Sequence, residues 1–265
     1  AAAAAVGLAL AGALAAPSPA AAFDCKVALV LALDVSSSVD AQERRLQAEG
    51  LAAAFLHPEI QEAILRPEGT GITAMVFTWS GVYDQQIHAP WMKIDSEGAL
   101  RAFAGQVAGA QSYVWERPTA LGRALSFAAR QHAANPTECR RKVIDVSGDG
   151  VSNEGVDPAH TRGRGLLDGI VVNALVIRGD TPDPLPYYLK EVIQGPGSFA
   201  LNVQSYDDYA DGIRRKLLLE LTDALAEAPP QSLTLADAAL HARGAARRGL
   251  GAALPLPRGA APGGG

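Results

Sequence analysis

Apolar and polar positions along the chain form short apolar runs that alternate with segments of helical spacing. Val27–Leu33 is an apolar run without a polar interruption, which is typical of a strand buried on both faces. Asp40–His57 then places its apolar residues at helical spacing, and Gly71–Ser80 is the next strand-like run. This alternation predicts βαβ units around a mainly parallel sheet, and hence an α/β fold.

The same pattern continues as far as Leu225. We predict an antiparallel edge strand at Gln85–Ala89, and a fourth strand from Arg141 that ends at the Gly-rich sequence SGDG. The other predicted strands are Gly169–Ile177 and Ser198–Val203, and the other predicted helices are Ser96–Val107, Thr119–Ala134 and Tyr206–Leu225. No internal repeat is evident, so the pattern describes one domain.

The start of the chain differs from this pattern. Val6–Ala16 is a short apolar run, and Ala20 and Ala22 after it fit the small-residue cleavage signal of an exported protein, although no basic segment precedes the run. The alternative is a membrane anchor, but the run is shorter than the ~20 residues that span a bilayer. We therefore expect residues 1–22 to be a signal peptide and the mature protein, from Phe23, to be periplasmic or secreted without a stable membrane span.

The end of the chain is rich in Ala, Gly, Pro and Arg. We expect Pro229–Gly265 to be a low-complexity, largely disordered tail, with a short helix within Leu235–Leu250. The folded domain is then expected to cover residues 23–228.

Composition limits the classes of function. The 265 residues carry a net charge of −5, and 48% of them are hydrophobic while 19% are charged. This balance is typical of a soluble globular domain and argues against a disordered chain or a membrane protein with several spans. Because the charge is negative and the basic runs are short, nucleic acid is not an expected partner.

Polar side chains follow two of the predicted strands. Asp34, Ser36 and Ser38 come directly after the first strand, and open α/β sheets bind ligands at the carboxyl ends of their strands. Asp149 follows the fourth strand, between two glycines that let the backbone come close to a ligand. Thr119 lies at a predicted helix start, where it is either a further ligand or only a helix N-cap. Carboxylate and hydroxyl oxygens are suited to a small, hard cation.

This set of motifs resembles the von Willebrand factor A (VWA) fold and its metal-ion-dependent adhesion site (MIDAS). The strings VLALDVSSSVD, VFTWSG, RKVIDVSGDGVSNEG, YYLKEVIQGPGSF and DYADGIRRKLLLEL are similar to an exported bacterial VWA-like family of unknown function. The resemblance covers about Cys25 to Leu225. It implies a doubly wound, six-stranded sheet with helices on both faces, in the order 3-2-1-4-5-6, with strand 3 antiparallel.

The resemblance also implies the chemistry of the site. Its cation would be Mg²⁺, or Mn²⁺ or Ca²⁺, and would accept a carboxylate from a protein partner, so the expected function is binding and not catalysis. The implied MIDAS residues are Asp34, Ser36, Ser38, Thr119 and Asp149. One departure lies before Thr119, where Arg117 and Pro118 stand in place of the glycine common in related domains.

Other classes of function fit the sequence less well. A phosphatase of the haloacid-dehalogenase type needs a second carboxylate where the chain has Ser36, and no serine has the Gly-x-Ser-x-Gly frame of a serine hydrolase. An EF-hand loop from Asp145 would need a bidentate Glu where the chain has Val156. A structural VWA domain without an occupied metal site is the main alternative, and a metal-dependent hydrolase is a lesser one.

Cys25 and Cys139 precede Asp34 and Asp149 by similar lengths of chain. If the first and fourth strands are parallel neighbours, both thiols lie at the same lower edge of the sheet and could form a disulfide, which export would favour. Two separate buried thiols are the alternative. The absence of a Cys-x-x-Cys motif argues against a redox role.

Three residues near the expected site are candidates for contact with a partner. Trp79 ends the second strand, Trp115 lies shortly before Thr119, and Asn153 follows the SGDG loop. Tryptophan is enriched in the energetically dominant parts of interfaces, but it is also often packed in the core.

Overall fold

One sheet of seven strands forms the centre of the protein. The computed structural model describes residues 23–110, 117–178, 182–225 and 228–241. The strands are β1 (Asp24–Asp34), β2 (Thr70–Trp79), β3 (Gln85–Ile94), β4 (Arg141–Gly148), β5 (Ile170–Ile177), β6 (Phe199–Val203) and β7 (Gln231–Leu233). Their order is β3-β2-β1-β4-β5-β6-β7; β3 is antiparallel to β2, and the other neighbours are parallel. The predicted order of the first six strands and the antiparallel edge are confirmed.

Helices cover both faces of the sheet, as predicted. They are α1 (Ala41–Leu56), α2 (Pro58–Leu65), α3 (Glu97–Ala108), α4 (Leu121–Ala134), α5 (Pro158–Gly163), α6 (Leu185–Tyr187) and α7 (Tyr209–Thr222). A π-helical turn, Tyr188–Val192, continues α6, and a 3₁₀ turn, Tyr206–Asp208, precedes α7. α1, α3 and α7 pack together on one face, and α4 and α5 lie on the other. None of the helices in the described ranges combines the length and hydrophobicity that a bilayer span needs.

Alternating side chains of β1 supply the cores on both faces. Leu29 and Leu31 join the apolar cluster under α1, α3 and α7, whereas Val30 and Ala32 join the cluster under α4. The residues of β2 are all buried as well. Because both strands are covered on two sides, β1 contains an unbroken apolar run and β2 is mainly apolar, with buried threonines at Thr73 and Thr78.

Two of the helices that the sequence analysis missed begin at a proline. Pro58 and Pro158 are the first residues of α2 and α5, a position that suits proline because the first N–H groups of a helix have no partner within it. The N-caps before them are His57 and Asp157. The sequence therefore contained a signal for the start of each of these helices, namely a polar residue followed directly by proline.

The segment after residue 228 corrects the predicted domain boundary. β7 pairs with β6, and residues 235–241 are helical, within the range predicted for a short helix. Leu233 is buried, and its carbonyl oxygen accepts a hydrogen bond from Asn202 Nδ2 at 2.7 Å. The sheet thus extends into the tail. The sequence did not predict this, because the composition of the tail concealed a short run that pairs with the edge of the sheet. The predicted signal peptide and residues 242–265 lie outside the described residues.

A disulfide joins the start of β1 to the residues before β4. Cys25 and Cys139 are bonded, although they are 114 residues apart in the sequence. The N–H of Arg140 donates to the Cys25 carbonyl oxygen at 3.0 Å, which holds the two segments side by side. The predicted pairing is confirmed, and the alternative of two separate thiols is wrong.

A cluster of charged groups is buried between β4 and α7. Lys216 Nζ lies 2.7 Å from Asp145 Oδ2 and 2.6 Å from Glu220 Oε1, and all three residues are buried. Asn173 Nδ2 on β5 donates to Glu220 Oε1 at 2.8 Å. A buried lysine tolerates its loss of hydration only when charged or polar partners surround it, as they do here.

Candidate metal centre

The carboxyl ends of β1 and β4 carry a connected group of oxygen-bearing side chains. Ser38 Oγ donates to Asp149 Oδ1 at 2.6 Å, and Ser36 Oγ lies 3.3 Å from Ser38 Oγ. The N–H of Ser36 donates to Asp34 Oδ1 at 2.8 Å. Because β1 and β4 are parallel neighbours, the sheet brings together four side chains from two distant stretches of sequence.

Asp34 is the most deeply buried member of this group. Its Oδ1 is occupied by the contact with Ser36, but its Oδ2 has no hydrogen-bond partner among the described residues. Burial, and after it the negative charge of Asp149, raises the pKa of Asp34 to about 8. A divalent cation near both carboxylates would offset the burial and the repulsion together, because its own charge dominates such a site.

The sequence that follows β1 holds the end of this strand in place. Asp40 caps α1: its carboxylate accepts the N–H groups of Gln42 and Glu43, and the Glu43 side chain accepts the N–H of Asp40. From within α1, Gln47 Nε2 donates to the Asp34 carbonyl oxygen at 2.9 Å. The helix therefore fixes both the loop and the backbone that carries the first carboxylate.

Thr119 lies on the loop before α4 and is not the N-cap of that helix. Ala120 occupies the cap position, so the interpretation of Thr119 as only a cap is wrong. The N–H of Thr119 donates to Asn153 Oδ1 at 2.8 Å, which ties the loop to the segment that follows β4. A Cβ built on Gly150 would lie 3.9 Å from the Thr119 hydroxyl, so this hydroxyl lies beside the loop that carries Asp149. We call Asp34, Ser36, Ser38, Thr119 and Asp149 the oxygen cluster.

The residues before Thr119 contact the first loop directly. Ser37 Oγ donates to the carbonyl oxygen of Arg117 at 2.7 Å and accepts the N–H of Arg117 at 2.6 Å. Arg117 also forms an ion pair with Asp84, on the loop between β2 and β3. Arg117 and Pro118 stand in place of a glycine, but the loop still brings Thr119 beside the loop that carries Asp149. The larger side chains are tolerated because Arg117 contacts Ser37 through its backbone N–H and carbonyl groups.

The three predicted partner contacts have different outcomes in the structure. Trp79 is fully buried in the apolar cluster under α4, so the prediction that it touches a partner is wrong: the end of β2 is covered on both faces. Asn153 is exposed, and contact with a partner stays a prediction for it. Trp115 lies outside the described residues.

An aromatic residue that the sequence analysis overlooked lies on the surface near the oxygen cluster. Tyr83, on the loop between β2 and β3, is 90% exposed. This loop is attached to the Thr119 loop, since the N–H of Ala120 donates to the Ser80 carbonyl oxygen at 2.8 Å. The sequence signal for this exposed residue was a single tyrosine within a Gly-x-Tyr-Asp turn.

Two buried tyrosines also lie near the oxygen cluster. Burial, followed by the negative charges of Asp34 and Asp149, raises the pKa of both Tyr188 and Tyr206 well above its ordinary value. Tyr188 packs against the sheet, but its nearness to Asp34 had no signal in the sequence. Neither tyrosine lies in a sequence motif that also includes a residue of the oxygen cluster.

The donor atoms of the oxygen cluster suit a hard cation. Carboxylate and hydroxyl oxygens are preferred by Mg²⁺, Mn²⁺ and Ca²⁺. Within the described ranges, no group of three or more His, Cys, Asp and Glu side chains could hold a metal ion, so the hydroxyls have to take part in any such site. The unpartnered Asp34 Oδ2 and the exposed Ser38 leave the oxygen cluster with capacity for a cation and for a ligand from outside.

The fold is that of a von Willebrand factor A domain. The proximal thread matrix protein of the mussel byssus has a TM-score of 0.57 and 14% identity, over 76% of this chain and 50% of the mussel chain. A von Willebrand factor type A protein of Catenulispora acidiphila has a TM-score of 0.53 and 15% identity, over 73% of this chain and 42% of that one. The pilus adhesin SpaC of Lactobacillus rhamnosus has a TM-score of 0.54 and 14% identity, over 75% of this chain and 30% of that one.

The chain spans at most half the length of these structures. Residues 24–225 match the model of the family described as protein of unknown function DUF1194, and the chain belongs to this family. A search among curated proteins found no match. The resemblance to a VWA-like family of unknown function is thereby confirmed in its fold and family.

Proposed function

We propose that this protein binds a divalent cation at the oxygen cluster and, through the cation, a carboxylate group of a protein partner. The observation that carries the proposal is the 2.6 Å contact between Ser38 Oγ and Asp149 Oδ1, which closes the oxygen cluster across two strands. In the mussel byssus protein, zinc occupies a MIDAS motif, which supports the same use of this fold. Mg²⁺ is the proposed cation, with Mn²⁺ or Ca²⁺ as substitutes.

Each residue of the oxygen cluster has a role in the proposal. Ser36, Ser38 and Thr119 would offer hydroxyl oxygens to the cation, while Asp34 and Asp149 would balance its charge, partly through water and through hydrogen bonds to the hydroxyls. When bound, the cation supplies Lewis acidity toward a carboxylate oxygen. The residues hold the cation and leave one side open, so the proposed activity is binding without chemistry on the partner.

The surface beside the oxygen cluster offers a further contact for a partner. Tyr83 is held outward on a loop that is anchored from below, since the N–H of Val82 donates to Glu154 Oε2 at 2.8 Å. An exposed tyrosine on a fixed loop provides a large contact area and loses little conformational entropy on binding. We propose that Tyr83 takes the place that was predicted for Trp79.

We also propose that binding takes place outside the cytoplasm. The disulfide between Cys25 and Cys139 supports this, because such bonds persist in oxidising compartments. The periplasm and the extracellular medium both meet this condition.

The cation site is tested by thermal unfolding of the whole chain in EDTA and with added Mg²⁺, Mn²⁺ or Ca²⁺. Cation at about 100 times its Kd is expected to stabilise the wild type by about 2.7 kcal/mol. Asp34→Asn should lose this response. The matched control is Asp145→Asn, a second buried aspartate on the neighbouring strand, which should keep it. A wild type that unfolds at the same temperature with and without all three cations would contradict the proposal.

The carboxylate of the partner is tested with a peptide array. Pairs of peptides that differ only in Asp or Asn are probed with the protein in Mg²⁺ and in EDTA. The proposal expects binding only to the Asp member of a pair and only in Mg²⁺. Equal binding to both members, or binding that survives EDTA, would contradict a contact through the cation.

A further inference from the structure

Three buried oxygen atoms close to the oxygen cluster have no hydrogen-bond partner in the described part of the chain. They are Asp34 Oδ2, Tyr188 Oη and Tyr206 Oη. A buried polar atom without a partner is costly, and proteins pair nearly all such atoms with protein groups or with ordered water. Three of them near one site therefore require an explanation.

Gly148 lies between two of these atoms. A Cβ built on Gly148 would overlap the Tyr188 hydroxyl and would lie 3.1 Å from Asp34 Oδ2. The Tyr188 hydroxyl therefore occupies the place that a side chain at this position would take, close to Asp34 Oδ2 at the end of β4. A larger residue at this position would displace the hydroxyl.

The two tyrosines lie on opposite faces of the sheet. Tyr188 belongs to the apolar cluster under α4, and Tyr206 belongs to the cluster under α1, α3 and α7. The ring of Tyr206 stacks on Tyr209 with centroids 6.4 Å apart, and Tyr188 is fully buried. Packing therefore fixes the position of both hydroxyl groups.

Both hydroxyls are hydrogen-bond donors. Burial and the nearby carboxylates of Asp34 and Asp149 raise the pKa of Tyr188 and of Tyr206, so the hydroxyls keep their protons. A hydroxyl that donates to a carboxylate, directly or through a water, fixes the orientation of that carboxylate.

We propose that Tyr188 is a positioning residue for the cation site, donating through one buried water beside Gly148 to Asp34 Oδ2. Two buried oxygens that lie next to the same backbone position without bonding to each other can share a bridging water. The water would hold the Asp34 carboxylate in its orientation, and Tyr188 would not touch the cation. This inference rests on the proposed function.

The test compares Tyr188→Phe and Tyr206→Phe with wild type by calorimetric titration with Mg²⁺ and by thermal unfolding in EDTA. Tyr188→Phe is expected to weaken Mg²⁺ binding roughly tenfold, as the loss of groups that support metal ligands does elsewhere. Tyr206→Phe removes a buried hydroxyl on the opposite face of the sheet and is expected to leave Mg²⁺ binding unchanged. Unfolding in EDTA should change little, because the hydroxyls have no protein partner.

Tyr209→Phe is the matched control. Its buried hydroxyl lies 3.1 Å from Ser147 Oγ, so its loss should lower the unfolding temperature in EDTA and leave the Kd for Mg²⁺ unchanged. If the wild type binds Mg²⁺ and Tyr188→Phe binds it with wild-type affinity, the inference is wrong and the proposed function stands. If the wild type binds no divalent cation, both are wrong. A Tyr188→Phe protein that loses stability in EDTA and keeps its Mg²⁺ affinity would show a structural role only, and would also overturn the inference.

Discussion

Thr119 and Asn153 are joined by two reciprocal hydrogen bonds. The N–H of Thr119 donates to Asn153 Oδ1 at 2.8 Å, and the N–H of Asn153 donates to the Thr119 carbonyl oxygen at 2.9 Å. These contacts connect the loop before α4 to the loop after β4. They set the position of a hydroxyl of the oxygen cluster relative to Asp149 without using the hydroxyl itself.

Asn153→Ala is therefore expected to weaken cation binding through Thr119. The substitution leaves the N–H of Thr119 without its acceptor, and the loop becomes freer to move. We expect roughly a tenfold loss of Mg²⁺ affinity in a calorimetric titration. The control is Asn135→Ala, which removes a similar amide, bonded to Thr73 Oγ1 and to the N–H of Thr137. Equal Kd values for the two variants would contradict this role of Asn153.

Gly122→Ala should disturb the same loop by steric overlap. A Cβ on Gly122 would overlap the Val156 carbonyl oxygen and would lie 2.9 Å from the carbonyl carbon of Asp157. We expect a loss of about 1 to 3 kcal/mol in the free energy of unfolding, measured in urea, together with weaker cation binding. Gly105→Ala on α3 is the control, because within the described residues no atom lies near its added Cβ. That variant should gain up to about 1 kcal/mol in the free energy of unfolding. A similar gain from Gly122→Ala would contradict the prediction, because it would show that the loop moves aside without a cost in stability.

Removal of the disulfide should lower stability and leave the oxygen cluster functional. The bond closes a loop between residues 114 positions apart, and the chain-entropy model assigns about 5 kcal/mol to a loop of this length. We expect a loss of this order in urea unfolding of the variant with Cys25→Ala and Cys139→Ala. Below its unfolding transition, the variant should bind Mg²⁺ as the wild type does. A weaker Kd in the fully folded variant would show that the oxygen cluster depends on the bond.

The buried charges between β4 and α7 predict that stability depends on pH. Burial, and after it the charge of Glu220, raises the pKa of Asp145 to about 7, against the opposing effect of Lys216. The folded protein thus holds this proton more tightly than the unfolded chain. Its stabilising contribution is complete below the unfolded pKa of about 4 and is lost as the pH rises through about 7.

Asp145→Asn should flatten this dependence. We expect the free energy of unfolding in EDTA to fall between about pH 5 and about pH 8 by up to a few kcal/mol in the wild type, and by less in the variant. Asp34 contributes to the slope in both proteins, so it cancels in the comparison. Parallel curves for the two proteins would show that Asp145 does not titrate in this range.

The sequence predicted the parts of the fold that depend on mainly apolar runs. β1 and β2 are buried on both faces, so each appears as a mainly apolar run. The carboxylate and hydroxyls of the first loop follow β1 directly. The cysteine pairing was also accessible, because Cys25 and Cys139 lie at similar distances from the ends of parallel neighbours. These inferences need only local pattern and the direction of the strands.

The remaining features depend on contacts between distant segments. The burial of Trp79 follows from the loops and helices that cover the end of β2, and an apolar residue at a strand end fits burial and exposure equally well. The closeness of Tyr188 to Asp34 depends on a π-helical turn that no periodicity predicts. β7 was missed because it has three residues and lies in a segment of biased composition. A strand this short is stabilised by the edge of the sheet that it joins, which the local sequence does not reveal.

The bond between Cys25 and Cys139 bears on which register β1 and β4 adopt. Neighbouring parallel strands can in principle slide past one another, and a slip of one residue would turn every side chain of the moved strand to the opposite face. A covalent link between the start of β1 and the residues before β4 opposes such a slip when the strands first pair. In the folded protein the hydrogen bonds between the two strands maintain the register, so Asp34 and Asp149 at the other end keep their spacing without the bond.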